Sequence, residues 1–344
     1  MDMISFGMVF LELVFGQLDR LPGPGEEVFT DEFSISCGGA VTSATAAAAG
    51  GAKAGVCARL GEDFGSQVAI EHCTSAGIDL STSVRIPGSA AGITAVLNFS
   101  GDRGFVTQLP PGGFGGPPEQ ERWLGVLREH PPAWCYLHAD IGIPAFLREA
   151  RELGCKIMLD ISLGDERRGE AVIECIKLAD VFVPNSDELL RLTGAGAIEQ
   201  AIAAASAWGT QLVVTRGADG ALVSHPDGSF TQVPEGVSDV VVKDLTGAGD
   251  NFAGALIAAL LGGAPITDAV VAANEAGSKA VGQLGAIGPV GAATSSGWPF
   301  HPMDLKAVLA RGDTLLAGGH PRTPDGPEPP AVMRAGEPEL LERG

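Results

Sequence analysis

The stretch Asp244-Leu245-Thr246-Gly247-Ala248-Gly249-Asp250 lies between a β-like segment, Val237 to Val242, and an apolar helix predicted over Asn251 to Leu261. A strand, a glycine turn and a helix N-terminus in this order form an anion site. Glycine lets the backbone bend closely around a ligand, and the first amides of a helix lack intrahelical partners. Phosphate is the expected anion.

Asp250 separates this turn from a simple phosphate loop, because its carboxylate would repel phosphate unless a substrate hydroxyl lay between them. The pattern predicts phosphoryl transfer, with Asp250 as general base and the amides of Gly247, Ala248 and Gly249 as an anion hole. Two simpler interpretations are a plain glycine turn and an aspartate that only caps the helix. A dinucleotide fingerprint does not fit, because residues 266–281 read as another helix.

Composition and charge limit the class of protein. The chain has 344 residues, 45% of them hydrophobic, which suffices for one large core. The net charge of −20 argues against a nucleic-acid partner, although backbone amides and a divalent cation can still hold ATP. Without a signal-like N-terminus or a long apolar span, we expect a cytoplasmic protein with no membrane partner. The six cysteines lack the spacing of a metal or redox site.

Strand-like and helix-like segments alternate along most of the chain, which implies a parallel sheet covered on both faces. The first strand is predicted over Met3 to Phe15. Two irregular β-like patches, 18–36 and 92–108, interrupt the alternation, the second with a hairpin turn at Gly101-Asp102. The proline-rich and glycine-rich loop 110–118 should lack regular structure. Residues 318–344 are predicted to be a mobile tail.

Several motifs, in the same order along the chain, resemble those of the ribokinase-like (PfkB) family of carbohydrate and nucleoside kinases. Besides residues 244–250, they are Asn185-Ser186-Asp187-Glu188, Val214 to Ala221, and Cys37 to Ala40 followed by Arg59 to Gly65. The resemblance runs from about Ile4 to Pro289. It implies an α/β protein with the three-layer α/β/α ribokinase-like fold, a mostly parallel central sheet and a small β-sheet lid. The kinase domain would span 1–317, with lid segments at 18–36 and 92–108.

The resemblance also implies a nucleotide site and cation sites. It assigns nucleotide binding to Asn185, Thr215, Gly217, Gly220 and Asn274, and magnesium binding, directly or through water, to Glu188. Asp244 and Thr246 match positions that help to form a monovalent cation site in some family members. The implied cofactors are ATP and Mg²⁺, with K⁺ where that cation site exists. In simpler readings, Asn185 is only a helix cap, and Asn274 caps a helix or faces solvent.

On the substrate side, the family resemblance points to Glu12, Gly38, Gly39, Ser43, Asp140 and Asp250. Ser43 replaces the asparagine usual in the family, which leaves the identity of the substrate open. Arg103 could reach the substrate or lie at the surface, and we favour the surface. The expected reaction is ATP-dependent phosphorylation of a hydroxymethyl group on a sugar or related polyol. The alternatives are a nucleoside kinase and a catalytically retired ligand-binding relative, and the lid could also pair two subunits in a homodimer.

Overall fold

The alternating segments build an eight-stranded central sheet in the computed structural model, which describes residues 1–99, 102–109, 115–141, 143–162, 170–237 and 239–288. Six neighbouring strands are parallel and two at one edge are antiparallel. The strands are β1 (Met3–Phe6), β4 (Ala54–Cys57), β9 (Trp134–His138), β10 (Lys156–Asp160), β11 (Val181–Phe182), β12 (Gln211–Thr215), β13 (Ala221–Ser224) and β14 (Phe230–Val233). Their order is β14-β13-β12-β11-β10-β9-β1-β4.

Helices cover both faces of this sheet. They are α1 (Ala40–Ala49), α2 (Phe64–Ser75), α3 (Pro117–Glu129), α4 (Pro144–Glu152), α5 (Glu170–Leu178), α6 (Ser186–Thr193), α7 (Ile198–Ala205), α8 (Ala248–Leu261) and α9 (Ile266–Ala280). Two buried clusters follow the alternation of the strands: Met3 and Met158 belong to one, with α1, α8 and α9, whereas Ile4 and Ile157 belong to the other, with α3 to α7. The predicted three-layer α/β/α architecture is therefore confirmed.

A second, four-stranded sheet forms the lid, in the order β3-β2-β7-β8. Its strands are β2 (Val9–Leu18), β3 (Glu32–Gly39), β7 (Gly92–Phe99) and β8 (Asp102–Gln108). β2 runs antiparallel to β3 and parallel to β7, and β7 pairs antiparallel with β8. The predicted hairpin joins β7 and β8, but Asp102, which was predicted to lie in the turn, is the first residue of β8 and pairs with Phe99. Residues 100 and 101 lie outside the described residues. A short pair, β5 (Arg59–Leu60) and β6 (Val84–Arg85), completes the strands.

Four predictions of regular structure need correction. The strand predicted over Met3 to Phe15 divides at Gly7 and Met8, so that β1 enters the central sheet and β2 enters the lid. The first lid segment is consequently β2 plus β3, and residues 19–31 only connect them. Helix α3 begins inside the loop predicted over 110–118, at Pro117. Proline is well tolerated at that position, because the first helical amide needs no partner.

The strand predicted over Val237 to Val242 is wrong for the residues described there. Val241 and Val242 are 76% and 57% exposed, and no neighbouring strand of the described chain pairs with them. Instead, the amides of Lys243 and Asp244 both donate to Val281 O at the end of α9. β-branched composition favours extended backbone, but a strand also requires a partner for its hydrogen bonds.

The described residues belong to one compact unit, Met1–Ala293. The predicted tail, 318–344, and the end of the predicted domain at 317 lie outside the described residues. Among the helices that the structure describes, none is long and apolar enough to cross a membrane.

Candidate active site

The polar residues at the ends of the central strands meet at one edge of the sheet. His138 is the last residue of β9, Asp160 the last of β10 and Thr215 the last of β12. These strands run in the same direction, so their carboxyl ends open into the same crevice. The N-termini of α6 and α8 point to the same edge, since Asp160 feels the charges of both Glu188 and Asp250.

The glycine turn before α8 has the geometry of an anion site. Gly247 caps the helix in the left-handed region at φ 73°, and a Cβ there would lie 2.4 Å from the Cβ of Ala286. The amide of Ala248 has a long bond of 3.4 Å to Leu245 O. No acceptor among the described residues pairs with the amides of Gly249 or Asp250. Of the three predicted amides, that of Gly249 is therefore available to a ligand, and so is the neighbouring amide of Asp250.

The side chain of Asp250 lies among three polar groups. The hydroxyl of Tyr136 donates to Asp250 Oδ1 at 2.9 Å and lies 3.3 Å from Asp160 Oδ2. His138 Nε2 is 3.7 Å from the same Asp250 oxygen. Single donor atoms of His138, Asp160 and Asp250 all fall within 4.8 Å of one another. A carboxylate held at a helix N-terminus beside an open crevice can accept a proton from a bound hydroxyl.

Burial changes the protonation of the neighbours of Asp250. Loss of solvent raises the pKa of Asp160 to about 7, His138 opposes this rise, and the charges of Glu188 and Asp250 add to it. Burial and the two adjacent carboxylates also hold the pKa of Tyr136 well above its ordinary value. Tyr136 therefore remains a neutral donor, and its proton can point to only one of the two carboxylates at a time.

Asp244 and Thr246 shape the turn from inside the protein. Asp244 is almost fully buried, and its Oδ1 accepts from the amide of Thr246 at 2.9 Å and from the Thr246 hydroxyl at 2.6 Å. Its other oxygen, Oδ2, accepts from the amide of Gly285 at 2.8 Å. The Asp244 carboxylate is thus committed to holding the turn against the loop that follows α9.

Asn185 and Glu188 form a reciprocal capping box at the start of α6. Asn185 Oδ1 accepts from the Glu188 amide at 2.9 Å, and Glu188 Oε2 accepts from the Asn185 amide at 2.8 Å. The helix cap of the simpler interpretation is therefore present. Glu188 can also have a role in the site, because its charge contributes to the raised pKa of Asp160.

A cleft of about 420 Å³ lies beside this capping box. Its lining includes Asn185 and Thr215, together with Arg216, Gly217 and Asp219 of the turn after β12. Three of the predicted nucleotide-binding residues are thus brought together.

Two further residues predicted to bind nucleotide have structural contacts. A Cβ on Gly220 would lie 2.2 Å from Val233 O, so this position requires glycine at its φ of 76°. Asn274 is 7% exposed and donates from Nδ2 to Pro234 O at 2.6 Å, which ties α9 to the end of β14.

On the lid, Glu12 faces the active site. Its Oε2 accepts from the Ala286 amide at 3.2 Å, and burial together with the charges of Asp244 and Asp250 raises its pKa to about 7. A Cβ on Gly38 would lie 2.2 Å from Glu12 Oε1, so the missing side chain leaves room for the carboxylate. We call the lid surface that carries Glu12 the inner face.

The remaining predicted substrate residues differ in their surroundings. Gly39 has φ 73°, and a Cβ there would lie 2.4 Å from Met8 O. Ser43 is fully buried, and its hydroxyl lies 3.0 Å from that of Ser5, which places it in the core between α1 and β1 rather than in the crevice. The backbone of Asp140 lies in a short 3₁₀ turn after β9, and its side chain lies outside the described part of the structure.

The sequence analysis missed Tyr136, His138 and Asp160. Each belongs to a mostly apolar strand, Trp134–His138 or Lys156–Asp160, and stands at or near its carboxyl end. A polar residue that ends a buried parallel strand is the signal that would have identified them. The contact between Tyr136 and Asp250 spans 114 residues of chain, which local patterns do not reveal.

Comparison with known proteins agrees with this geometry. The family model of the pfkB family carbohydrate kinases matches residues 145–292. An ATP-dependent ribose-1-phosphate kinase of Halopiger xanaduensis is 33% identical over 282 residues, which cover 78% of this chain and 88% of the relative. A cytidine kinase of Thermococcus kodakarensis is 27% identical, over 78% of this chain and 92% of that protein.

The fold comparison is equally extensive. The solved structure of Arabidopsis thaliana ribokinase complexed with ribose and ATP has a TM-score of 0.67 at 22% identity and covers 84% of this chain and 96% of that one. Together with the sequence relatives, it bears out the family resemblance of the motifs. The chain belongs to the pfkB family of carbohydrate kinases, phosphotransferases with an alcohol group as acceptor.

Proposed function

We propose that this kinase transfers the γ-phosphoryl group of ATP to a hydroxymethyl group on a sugar or related polyol, with Asp250 as general base. The observation that carries the proposal is the position of Asp250. It stands in the first turn of α8, beside unpaired amides, and Tyr136 orients its carboxylate. A hydroxyl bound there has a base for its proton and, on its other side, donors for the incoming phosphoryl group.

In this mechanism Asp250 accepts the proton of the substrate hydroxyl as the oxygen bonds to phosphorus. The amides of Gly247, Ala248 and Gly249, with that of Asp250 beside them, would stabilise the negative charge that spreads over the transferred group. Gly247 must lack a side chain for the turn to pack on Ala286, which keeps these amides in place. Closure of the lid would exclude water and prevent wasteful hydrolysis of ATP.

We assign the nucleotide to the cleft beside α6, where Asn185, Thr215 and Gly217 would approach it, and Gly220 and Asn274 would support the walls. A magnesium ion fits the chemistry at the edge of this cleft. The charges of Glu188 and Asp250 both act on the buried Asp160, so a cation would be favoured among them, and carboxylate oxygens are the ligands that this ion prefers. Magnesium bound to ATP would neutralise phosphate charge, and we assign its protein ligand, directly or through water, to Glu188.

The magnesium assignment predicts that Glu188→Gln raises the magnesium concentration needed for half-maximal rate. Glutamine can keep the capping box, so the fold should be unaffected while the charge is lost. Glu199→Gln, in the first turn of α7, is the control because it removes a comparable charge away from the cleft. Identical magnesium titrations for the Glu188 variant and the wild type would contradict the assignment.

Two other roles complete the proposal. Asp244 and Thr246 would order the turn for a monovalent cation such as K⁺, as the family resemblance implies.

The outer face of the lid, opposite Glu12, exposes three large apolar side chains: Phe33 (39%), Ile93 (44%) and Val106 (67%). Their exposure supports a homodimer through this sheet.

The alternative function is a nucleoside kinase, since the relatives include both a cytidine kinase and a ribose-1-phosphate kinase. Catalytic retirement is disfavoured, because a ligand-binding relative has no chemical need for Asp250 beside open amides.

The test of the proposed function is Asp250→Asn. We expect turnover to fall roughly 100-fold or more with little change in nucleotide affinity, because the amide cannot act as a base. Asp268→Asn, in the first turn of α9, is the matched control for losing a helix-capping charge. Full turnover by the folded Asp250 variant would remove this residue from the mechanism.

A further inference from the structure

Two negative charges and one positive charge line the cleft beside α6. Its charged residues are Asp187, in the first turn of α6, and Arg216 and Asp219, in the turn after β12. The Arg216 side chain is 28% exposed and is the only cation among the described residues of this lining. A donor nucleotide carries a polyphosphate group with several negative charges. Such a group needs a cation where the protein surface is itself acidic, and Arg216 supplies one.

Backbone hydrogen bonds set the conformation of the turn that carries Arg216. The Arg216 amide donates to Gly220 O at 2.8 Å, and the Asp219 amide donates to Arg216 O at 3.1 Å. At the end of β12, the Thr215 amide donates to Pro184 O at 3.0 Å, which fixes the turn beside the start of α6. The Arg216 side chain is not needed to close this turn, so it can change partners without unfolding it.

The guanidinium of Arg216 pairs with the carboxylate of Asp219. Its Nη2 donates to Asp219 Oδ2 at 3.2 Å, and the Asp219 side chain is 68% exposed. An ion pair this exposed contributes little to stability, because water screens the charges and both side chains lose freedom. A phosphate group carries more charge than a carboxylate and accepts two parallel N–H bonds from the guanidinium fork. A phosphate in the cleft can therefore displace Asp219 from Arg216.

Resting on the proposed assignment of the nucleotide to this cleft, we propose that Arg216 binds the phosphate groups of the donor and that Asp219 competes with them. Asp219 holds the guanidinium in the free enzyme and releases it to a bound polyphosphate. Removing either residue breaks the same ion pair, but the two changes act on nucleotide affinity in opposite directions. Loss of Arg216 removes a phosphate contact, whereas loss of Asp219 removes a competitor and one negative charge from the lining.

The experiment is a calorimetric titration of the full chain with ADP and magnesium, which requires no turnover by Asp250. Arg216→Gln should weaken ADP binding roughly tenfold or more, the scale of a hydrogen bond between charged groups. Asp219→Asn should instead tighten ADP binding about two- to fivefold, because the competing pair is exposed and weak. Arg151→Gln is the matched control, since Arg151 pairs at 3.8 Å with Asp180, which precedes β11 at the opposite edge of the sheet.

A second readout separates the phosphate groups from the base and the ribose. Magnesium tripolyphosphate, which contains neither, should inhibit the kinase reaction in competition with ATP. Its inhibition constant should rise in Arg216→Gln and fall in Asp219→Asn, in parallel with the dissociation constant of ADP. An inhibition constant that is equal in both variants and the wild type overturns the assignment of Arg216 to the phosphate groups.

Weaker ADP binding in both Arg216→Gln and Asp219→Asn also overturns the inference, because the ion pair would then only hold the turn. Thr215→Val, which removes a hydroxyl from the same cleft, separates the remaining outcomes. If Thr215→Val weakens ADP binding and Arg216→Gln does not, the nucleotide occupies the cleft and the role of Arg216 is wrong. If neither variant changes ADP binding, the assignment of the nucleotide to this cleft fails as well, while the role of Asp250 is unaffected.

Discussion

Tyr136 is the residue that couples the proposed base to the rest of the site. Its hydroxyl donates to Asp250 and also lies near Asp160, so it fixes the orientation of one carboxylate and separates it from the other. Asp160 in turn has a pKa of about 7 and carries a proton for part of the neutral range. The proposed base would therefore act within a group of hydrogen-bonded, electrostatically coupled side chains rather than alone.

We predict that Tyr136→Phe lowers kcat roughly 10- to 100-fold with little effect on KM, the scale of one hydrogen bond to a charged group. Tyr136 is the only tyrosine of the chain, so tyrosine labelled with carbon-13 at the ring carbon that bears oxygen gives one NMR signal. That signal should move in Asp250→Asn and stay in place in Asp268→Asn. An unmoved signal together with wild-type kcat in Tyr136→Phe would show that the tyrosine is only structural.

The raised pKa of Glu12 predicts that the stability of the fold depends on pH. Its pKa is raised from 4.5 to about 7 in the folded protein, so between these values the unfolded chain loses the proton while the folded chain keeps it. Its contribution to stability is therefore complete below about pH 4.5 and is lost as the pH rises through 7. Asp160, raised to about 7, adds to the same loss.

We expect Glu12→Gln to remove a decrease on the order of 1 to 3 kcal/mol in the free energy of unfolding between pH 5 and 7.5. Urea unfolding of the variant and the wild type at both pH values measures the difference. Glu71→Gln, an exposed residue of α2, is the control. Parallel pH curves for wild type and Glu12→Gln would mean that Glu12 ionises at the same pH in the folded and unfolded chains.

At the scale of elements, the end of β3, where it passes directly into α1, shows how two adjacent glycines serve different needs. Gly39 has a positive φ, and a side chain there would strike the backbone of Met8. At Gly38, by contrast, the Glu12 carboxylate occupies the space that a side chain would take. The Met8 backbone is held in place by the sheet, whereas the Glu12 side chain can rotate away.

We therefore predict that Gly39→Ala destabilises the protein by about 2 to 4 kcal/mol, through strain and a backbone clash. Gly38→Ala should leave the unfolding midpoint nearly unchanged but raise the KM for the acceptor, because Glu12 is displaced. Gly51→Ala, with φ 90° and open space around it, isolates the cost of the backbone angle alone. Equal stability losses in Gly38→Ala and Gly39→Ala would contradict this distinction.

Local elements of the site could be predicted from sequence, and long-range ones could not. The glycine turn, the helix after it and the capping box of Asn185 and Glu188 depend on neighbours within a few residues. The prediction of a strand over Val237 to Val242 was wrong because a strand needs a hydrogen-bonded partner strand, which segments elsewhere in the chain must supply. For the same reason, sequence patterns do not identify Tyr136 and Asp160, because their contacts with Asp250 depend on the packing of β9 and β10 beside α8.

At the scale of the whole molecule, the lid sheet is the element that substrate should order. We predict that acceptor binding protects the amides of β2, β3, β7 and β8 from hydrogen exchange, because closure brings the inner face onto the ligand. Exchange with and without saturating acceptor measures this. The hairpin of β13 and β14, at the far edge of the central sheet, is the internal control. Equal exchange across all four lid strands would rule out closure and leave Asp250 unaffected.

The loop after α9 joins the two halves of the site. The Ala286 amide donates to Glu12 on the lid, and the side chain of the same residue packs against Gly247 of the anion turn. A substrate that moved Glu12 would therefore also move the residue against which the proposed phosphate-binding turn packs. We therefore expect the two substrates to bind cooperatively through Ala286, and linkage requires the acceptor and the nucleotide to change each other's affinity by the same factor.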